Sequence, residues 1–441
     1  VIGEAVAMLM KRIVFCTFGS LGDIYPLLAL ARELRLRGHW PVIATTPAYR
    51  RLIQSSNIGF HPVRPDFDPT DPEILSRVMD RRTGGRYIVC NILLPALREA
   101  YEDTAAVAED ADLLVIHPMA LSAFLFARKA GAPWASVALA PMSLYSIYDP
   151  PVVAGVPFAE LLAARGPAVQ RHLLKGMAML FEPLWKPFRR FERDLGLPPA
   201  PNPLFWGQSP HLTLGLFSRV LAEPQRDWPV SARATGFPFF DQGQGNSPEL
   251  QRFLDAGEPP IVFTLGSAAV GVAGDFFQQS AEAAYQLGRR AVLLVGRDPA
   301  NHPTRPLPQD VIAVPHAPHA AVFPRAGLIV HQGGIGTTAE AMRAGRPMLV
   351  VPYSHDQPDN AARLTRLGIA RSVPRERYDA AMAAREIRTL LWDPAYANRA
   401  VEVGLRVRSE AGTSTACDLM ERLLSQTGDL TAAFTAGILA H

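Results

Sequence analysis

Three cysteines in 441 residues, Cys16, Cys90 and Cys417, are too few and too scattered for a disulfide framework or a zinc site. A reducing, cytoplasmic setting is the expectation that follows. No uninterrupted apolar run approaches the ~20 residues that a membrane-spanning helix needs. The apolar opening VIGEAVAMLM lacks a basic start and a small-residue cleavage site, and reads as an addition or alternative start ahead of Met10. A formal charge of +3 is too slight and too dispersed for a nucleic-acid partner. With 48% apolar and 19% charged residues the composition excludes disorder, and the length suffices for two domains with separate cores.

What is present begins with a βαβ unit. Residues 12–17 (RIVFCT) read as a buried strand, FGSLGD as a tight turn, residues 26–36 as a helix stopped by Gly38, and residues 42–44 as the next strand. A nicotinamide dinucleotide does not suit this opening. The turn lacks GxGxxG, and the second strand ends in Thr45 and Thr46 where a ribose-binding acid is needed. Asp23 stands where the turn becomes the helix, either as a cap for its first N–H groups or as a carboxylate offered to the crevice at the strand ends. Residues 59–80 read as a long proline-rich acidic loop and 88–107 as helix. Residues 111–116 and 134–139 read as strands whose ends, His117 and Met142, border the same crevice. The triplets Asp66-Phe-Asp68 and Asp110-Ala-Asp112 match a metal-holding DxD pattern, but among 41 acids such triplets arise by chance, and no metal is expected.

Residues 161–195 are apolar and basic together. They read either as a pair of helices packed on the domain or as an amphipathic surface for peripheral membrane contact, with Pro183 and Pro187 breaking a continuous helix. The proline-rich residues 198–210 and the polar DQGQGNSP at 241–248 place the domain boundary between them or at the second. The strand at 261–265 with its turn Gly266-Ser267 then repeats the strand-then-glycine opening, and 291–295 and 311–314 read as further strands.

The most informative stretch is HQGGIGTTAEAMRAGRPMLVVPYSHDQ, residues 331–357. A strand ending at His331, the glycines Gly333, Gly334 and Gly336, and a helix opening at Thr337 and Thr338 place free backbone N–H groups at the positive end of a helix dipole. That suits a phosphate, although an ordinary glycine-rich βα turn has the same residues. A second strand, 348–352, is followed by Ser354, His355, Asp356, Gln357 and Asn360, a polar cluster at the edge where open α/β sheets bind ligands. An acid and an amide side by side match vicinal hydroxyls, and Glu340, one turn into the helix, can reach a ribose.

The whole of this span resembles the donor-binding signature of family 1 glycosyltransferases, which have the GT-B fold. GSLGDIYPLLALA resembles the amino-terminal motif of members acting on sterols, glycopeptide aglycones and rhamnolipid precursors, and residues 227–267 resemble the rhamnolipid rhamnosyltransferases most. The resemblance implies two Rossmann-like parallel-sheet α/β domains facing across a cleft: 1–235 for the acceptor, 236–408 for the nucleotide sugar, and 409–441 returning to the first domain as a helix near 415–424. It implies that His331, Gly333, Gly334, Gly336 and Thr337 hold a diphosphate, that Ser267 belongs to the same donor-binding set, and that Glu340 takes the ribose. Asp356 and Gln357 would take the sugar, and the segment His316, Ala317, Pro318, His319 the nucleobase. Histidines replace the family's aromatic residue and glutamine in that segment, which leaves uridine and thymidine both open. Asp23 takes the place of the family's base for the acceptor hydroxyl. A carboxylate is a weak base, so it either gains strength from partial burial or orients the nucleophile.

The implied activity is inverting, metal-independent and cofactor-free transfer of a hexose, glucose first, from a UDP-sugar to a hydroxyl of a small lipophilic or phenolic acceptor. The alternatives are dTDP-rhamnose-dependent transfer to a lipid acceptor, or a non-catalytic nucleotide-sugar-binding activator. The expected place is the cytoplasm, with residues 161–195 touching the inner membrane face.

Overall fold

The computed structural model describes residues 10–156, 161, 162, 164–200, 202, 207–241, 243 and 245–438, with side chains to residue 426. Two parallel sheets carry the fold. In the first, β1 (Arg12–Cys16), β2 (Trp40–Thr45), β3 (Gly59–Pro62), β4 (Leu113–Ile116), β5 (Trp134–Ala138), β6 (Leu212–Gly215) and β7 (Ala232–Ala234) lie in the order β3-β2-β1-β4-β5-β6-β7. In the second, β8 (Ile261–Thr264), β9 (Ala291–Leu294), β10 (Val311–Val314), β11 (Leu328–His331), β12 (Met348–Val350) and β13 (Ala370–Ser372) lie in the order β10-β9-β8-β11-β12-β13. The strand order reverses between β1 and β4 in one sheet and between β8 and β11 in the other. In doubly wound sheets the crevice beyond the strand ends at this reversal is where ligands bind.

Both sheets are covered on both faces, which is why their strands read as unbroken apolar runs. Ile13 and Phe15 pack with Leu27 and Leu28 on one side of the first sheet, while Val14 and Cys16 pack with Leu93, Leu97 and Phe188 on the other. In the second sheet Val262 belongs to one core cluster and Ile261 with Phe263 to its opposite.

Several elements differ from the sequence reading for identifiable reasons. The first helix starts at Leu21 rather than at residue 26, because Ser20 and Asp23 form a capping box. Residues 59–80 are not one loop: they contain β3 and a helix, Pro72–Val78. Asp71 accepts hydrogen bonds from the Glu73 and Ile74 N–H groups at 2.8 and 3.3 Å. The Asp-Pro pair that looked like loop punctuation is therefore an N-cap followed by a first-turn proline. The stretch 161–195 contains helix Pro167–Phe181, a single tight turn Glu182–Trp185 and helix Lys186–Asp194. Residues 157–160 and 163 of its approach, and residues 1–9, lie outside the described set.

The final helix, Gly412–Ile438, is longer than the expected segment and packs back on the first sheet's helix Leu21–Leu36. Ala416, Cys417, Met420, Leu423 and Leu424 are buried in the same cluster as Ile13 and Phe15. Arg37 donates to Asp418 at 2.5 Å, to Glu421 at 2.8 Å and to the Ser414 hydroxyl at 2.9 Å. Elsewhere the lobes meet through a buried polar latch. Arg363 donates to Asp359 at 2.8 Å and to Asp149 of the first lobe, and the Val152 N–H donates to Asp359 at 3.1 Å.

Candidate functional site

The first half of the site is built where β1 and β4 end side by side. One oxygen of Asp23 accepts from the Ser20 N–H at 2.7 Å and its hydroxyl at 3.1 Å, which locks the carboxylate on the helix start. Its other oxygen lies 3.5 Å from Nε2 of His117, at the end of β4. That separation is a polar contact, too long for a strong hydrogen bond. Nδ1 of His117 accepts from the Met119 N–H at 3.3 Å, so the ring proton sits on Nε2 and faces Asp23. Burial pushes the His117 pKa below its ordinary value, and the nearby Asp23 charge offsets this only in part. Phe18, five positions before Asp23, packs against Phe67 with ring centroids 5.0 Å apart.

The second half lies where β8 and β11 end. Helix Ile335–Ala344 begins at Gly334 with no side-chain cap, so its first N–H groups are free for a ligand. Four polar side-chain atoms around this start are buried and without a hydrogen-bond partner among the described residues: Nε2 of His331, Oε1 of Gln332, Oγ1 of Thr338 and Oδ1 of Asn360. Native proteins rarely leave such groups unpaired, so a cluster of them marks a ligand site. Nδ1 of His331 accepts from the Gly333 N–H at 3.1 Å, which places the ring's proton on the unpaired Nε2. Burial holds the His331 pKa down to about 3, with His319 adding to the effect, so the ring is a neutral donor.

Two glycines are required by close approach. A side chain at Gly333, φ +89°, would meet Val350 at 2.9 Å and the Gln357 carbonyl at 3.0 Å. One at Gly266, φ +64°, would fall 2.3 Å from the Gln332 amide and 3.2 Å from the Thr337 hydroxyl, which packs the Gly266-Ser267 turn against the cradle. Gly336 faces open space.

Beyond β12, Asp356 keeps some exposed surface through the cleft but is otherwise walled in. Burial raises its pKa to about 7, the bond from Asn360 (2.7 Å) works against the rise, and the charge of Asp23 from the opposite lobe adds to it. The two carboxylates are thus close enough to sense each other across the cleft. His355 beside it adopts the left-handed region, φ 57°, and bonds to the backbone of Val78 in the first lobe. The Gln357 side-chain carbonyl accepts from the N–H groups of Tyr353 (2.8 Å) and Ser354 (3.1 Å), leaving only its NH₂ for a ligand.

Glu340 is paired with Arg343 at 2.6 Å, and burial raises its pKa against that pairing. His316 is exposed beyond β10, and Ala317 beside it is buried. His319 stacks on Phe323 at 4.3 Å, and burial lowers its pKa to about 4. Asp112 of the DxD triplets bonds Lys11 and the Arg12 N–H at the opposite strand edge.

The structure therefore brings Asp23, His331, Gly333, Gly334, Gly336, Thr337, Asp356 and Gln357 to the strand ends that border the cleft. His117 is the residue the sequence placed at the crevice edge without pairing it to Asp23. The signal was available in the rule that strands flanking a reversal of order end beside each other.

Two parallel α/β lobes facing across such a cleft, closed by a helix that returns to the first, define a GT-B glycosyltransferase. A family profile described as "Glycosyltransferase family 28 N-terminal domain" matches residues 13–116, and one described as "Erythromycin biosynthesis protein CIII-like, C-terminal domain" matches residues 291–417. The chain is 35% identical to O-mycaminosyltylonolide 6-deoxyallosyltransferase of Streptomyces fradiae, over 93% of this chain and 97% of that one. It is 26% identical to sterol 3-beta-glucosyltransferase of Aspergillus fumigatus over 93% of its own length, but spans only 30% of that longer protein. Among solved structures, the kitacinnamycin glycosyltransferase superposes with a TM-score of 0.73 at 22% identity, covering 94% of this chain and 99% of that one. Glycosyltransferase VinC in complex with dTDP superposes at 0.60 and 19% identity, covering 94% and 100%. The chain belongs to the family 1 glycosyltransferases, in the company of natural-product and sterol glycosyltransferases.

Proposed function

We propose that the protein transfers a 6-deoxyhexose from a thymidine diphosphate donor to a hydroxyl of a lipophilic natural product, with inversion at the anomeric carbon. The observation that carries the transfer reading is the pairing of half-sites: unpaired buried polar groups at one strand edge, Nε2–H of His331 among them, and a carboxylate fixed by Ser20 at the other. The acceptor hydroxyl gives its proton to the Asp23 oxygen that faces His117. The freed oxygen attacks the anomeric carbon, and the bond to the diphosphate oxygen breaks on the opposite face. Ser20 holds the carboxylate in place, and the neutral His117 ring, its Nε2–H turned to the free oxygen, steadies the charge there before the proton arrives. Nε2–H of His331 and the N–H groups at the start of helix Ile335–Ala344 meet the charge that grows on the leaving diphosphate.

We place this donor ahead of the glucose that the sequence put first. With the Gln357 side-chain carbonyl committed to Tyr353 and Ser354, Asp356 and the unpaired Oδ1 of Asn360 are the side-chain acceptors left for sugar hydroxyls at this corner. A site that offers few partners suits a sugar with fewer hydroxyls, because each unmatched buried hydroxyl costs binding. The Streptomyces fradiae relative, whose name specifies a 6-deoxy sugar, supports the same choice. UDP-glucose is the second reading, favoured by the sterol glucosyltransferases.

A panel of UDP- and dTDP-linked hexoses and 6-deoxyhexoses, with macrolide, sterol and phenolic acceptors and mass detection of products, tests both. Turnover with UDP-glucose at least equal to that with every dTDP-6-deoxyhexose would overturn the donor assignment. Nucleotide-sugar binding with no product from any acceptor would favour an activator.

A further inference from the structure

We infer that helix Pro167–Phe181, together with the basic side chains that flank it, seats the protein on an anionic lipid surface. A helix that packs in a core buries one apolar face. In this one only Gln170 is fully buried, and its amide donates to the Leu162 carbonyl. At about 100° per residue, Leu173, Leu174 and Met177 share the side of Gln170 and are half-buried against the lobe. The apolar arc runs well past that packed strip. Val169 and Leu180 form one shoulder of it, and Met179 lies farther round between His172 and Lys175. Met179 and Leu180 are 77% and 73% exposed, and Leu161 and Phe181 are exposed with them.

The charges around this arc have one free sign. Each acid of residues 161–195 is already committed: Glu182 to Arg189, Glu192 to Arg128 and Arg189, Asp194 to Arg98. Arg165, Arg171, Lys175, Lys186, Arg190 and Arg193 are exposed and form no ion pair among the described residues. The solvent side of the helix thus sets Met179 beside Lys175, with Val169 and Leu180 on one flank and Arg171 on the other. That mixture matches a lipid leaflet, with the hydrocarbon taking the Met and Leu ends and the headgroup phosphates the basic side chains. A second copy of the chain would instead bring like charges together.

The position adds a use for such seating. Val153, Val156 and Ala164, which lead into the helix, line a groove of about 1160 Å³ between the lobes, with Pro358 and Ala362 opposite. A lipophilic acceptor leaving the bilayer would meet that groove first. This last step rests on the proposed transferase activity; the lipid contact does not.

The experiment is co-sedimentation of the whole protein with vesicles of phosphatidylcholine alone or mixed equally with phosphatidylglycerol. Binding to the anionic vesicles at low salt, release at about 1 M salt, and little binding to phosphatidylcholine are expected. Lys175→Glu and Arg190→Glu should each lower the partition constant by about fivefold or more. Leu180→Asp, on a side chain already in solvent, should lower it further, with turnover of a water-soluble acceptor unchanged in all three variants. Absence of binding at low salt, or binding indifferent to all three substitutions, overturns the inference. So does a dimer seen by light scattering without lipid and lost in Leu180→Asp, which would assign the face to a second copy.

Discussion

Replacing His331 by asparagine isolates one donor. In the native protein Nδ1 of the imidazole accepts from the Gly333 N–H at 3.1 Å, and Nε2–H has no partner. An asparagine carbonyl can keep the first bond, and its short amide cannot reach the place of Nε2. What is lost is one fixed donor to the charge that develops as the diphosphate departs. Removing a single preorganised donor of this kind costs about 2.7 to 4 kcal/mol, or roughly 10² to 10³ in kcat. The diphosphate is already charged in the ground state, so part of the loss moves into KM and the lower figure is the expected one for kcat. Burial holds the His331 pKa down to about 3, so the ring is uncharged throughout the working range. The ratio of native to variant kcat should therefore be flat between about pH 6 and 9. Nucleoside diphosphate release, followed continuously and checked against product by mass, provides the assay. A variant within threefold of native kcat, or a ratio that climbs with falling pH, would refute the assignment of a neutral donor.

Asp23→Asn should reduce turnover by about 10² to 10⁴-fold with donor binding intact by calorimetry, and near-native turnover would remove Asp23 as the base. His117→Phe keeps the buried ring and loses the Nε2–H facing Asp23; turnover should fall about tenfold or more with nucleotide affinity unchanged, whereas a purely structural role would show as a lower Tm with normal kcat. Arg363→Met strands Asp359 without its cation between the lobes, and should cost about 3 to 5 kcal/mol in unfolding free energy, measured by denaturant titration. The pH dependence of stability combines opposed terms. His331 and His319, held near 3 and 4 against an ordinary 6.5, contribute stability above pH 6.5 that is lost as pH falls towards those values. Asp356, raised from 3.8 to about 7, contributes stability below 3.8 that is lost as pH rises through 7. Between about pH 4 and 6.5 the net of these three is one proton, or about 1.4 kcal/mol lost per unit of acidification. Asp356→Asn removes the opposing term, so urea titrations should show a slope steeper by about 1.4 kcal/mol per pH unit; an unchanged slope would contradict the raised carboxyl.

Local chemistry was readable wherever the backbone alone demands particular residues. The turn after β11 needs a glycine at 333, where Val350 and the Gln357 carbonyl approach, and a free helix start at 334, so its sequence announces its shape. Most interior strands were legible for the same reason, since both faces are covered, but β6, with Thr213 and Gly215 among its four residues, was not read from the sequence. Short edge strands such as β7 and β13, with arginines in their three residues, had no comparable signal. The pairing of His117 with Asp23 depends on which strands lie side by side, so it follows from strand order and not from any local motif in the 93 residues between them. Gln357 was legible as a polar residue in the right place, but not the direction of its carbonyl, which two backbone N–H groups decide.

The residues that finish the interior of the first lobe are supplied by helix Gly412–Ile438, nearly four hundred positions after β1. During synthesis that lobe would leave the ribosome with an oily trough beside helix Leu21–Leu36, waiting for Met420 and Leu424 to fill it. The two halves therefore mature as one event, and a fragment ending before residue 412 should be an aggregation-prone intermediate instead of an independent acceptor module.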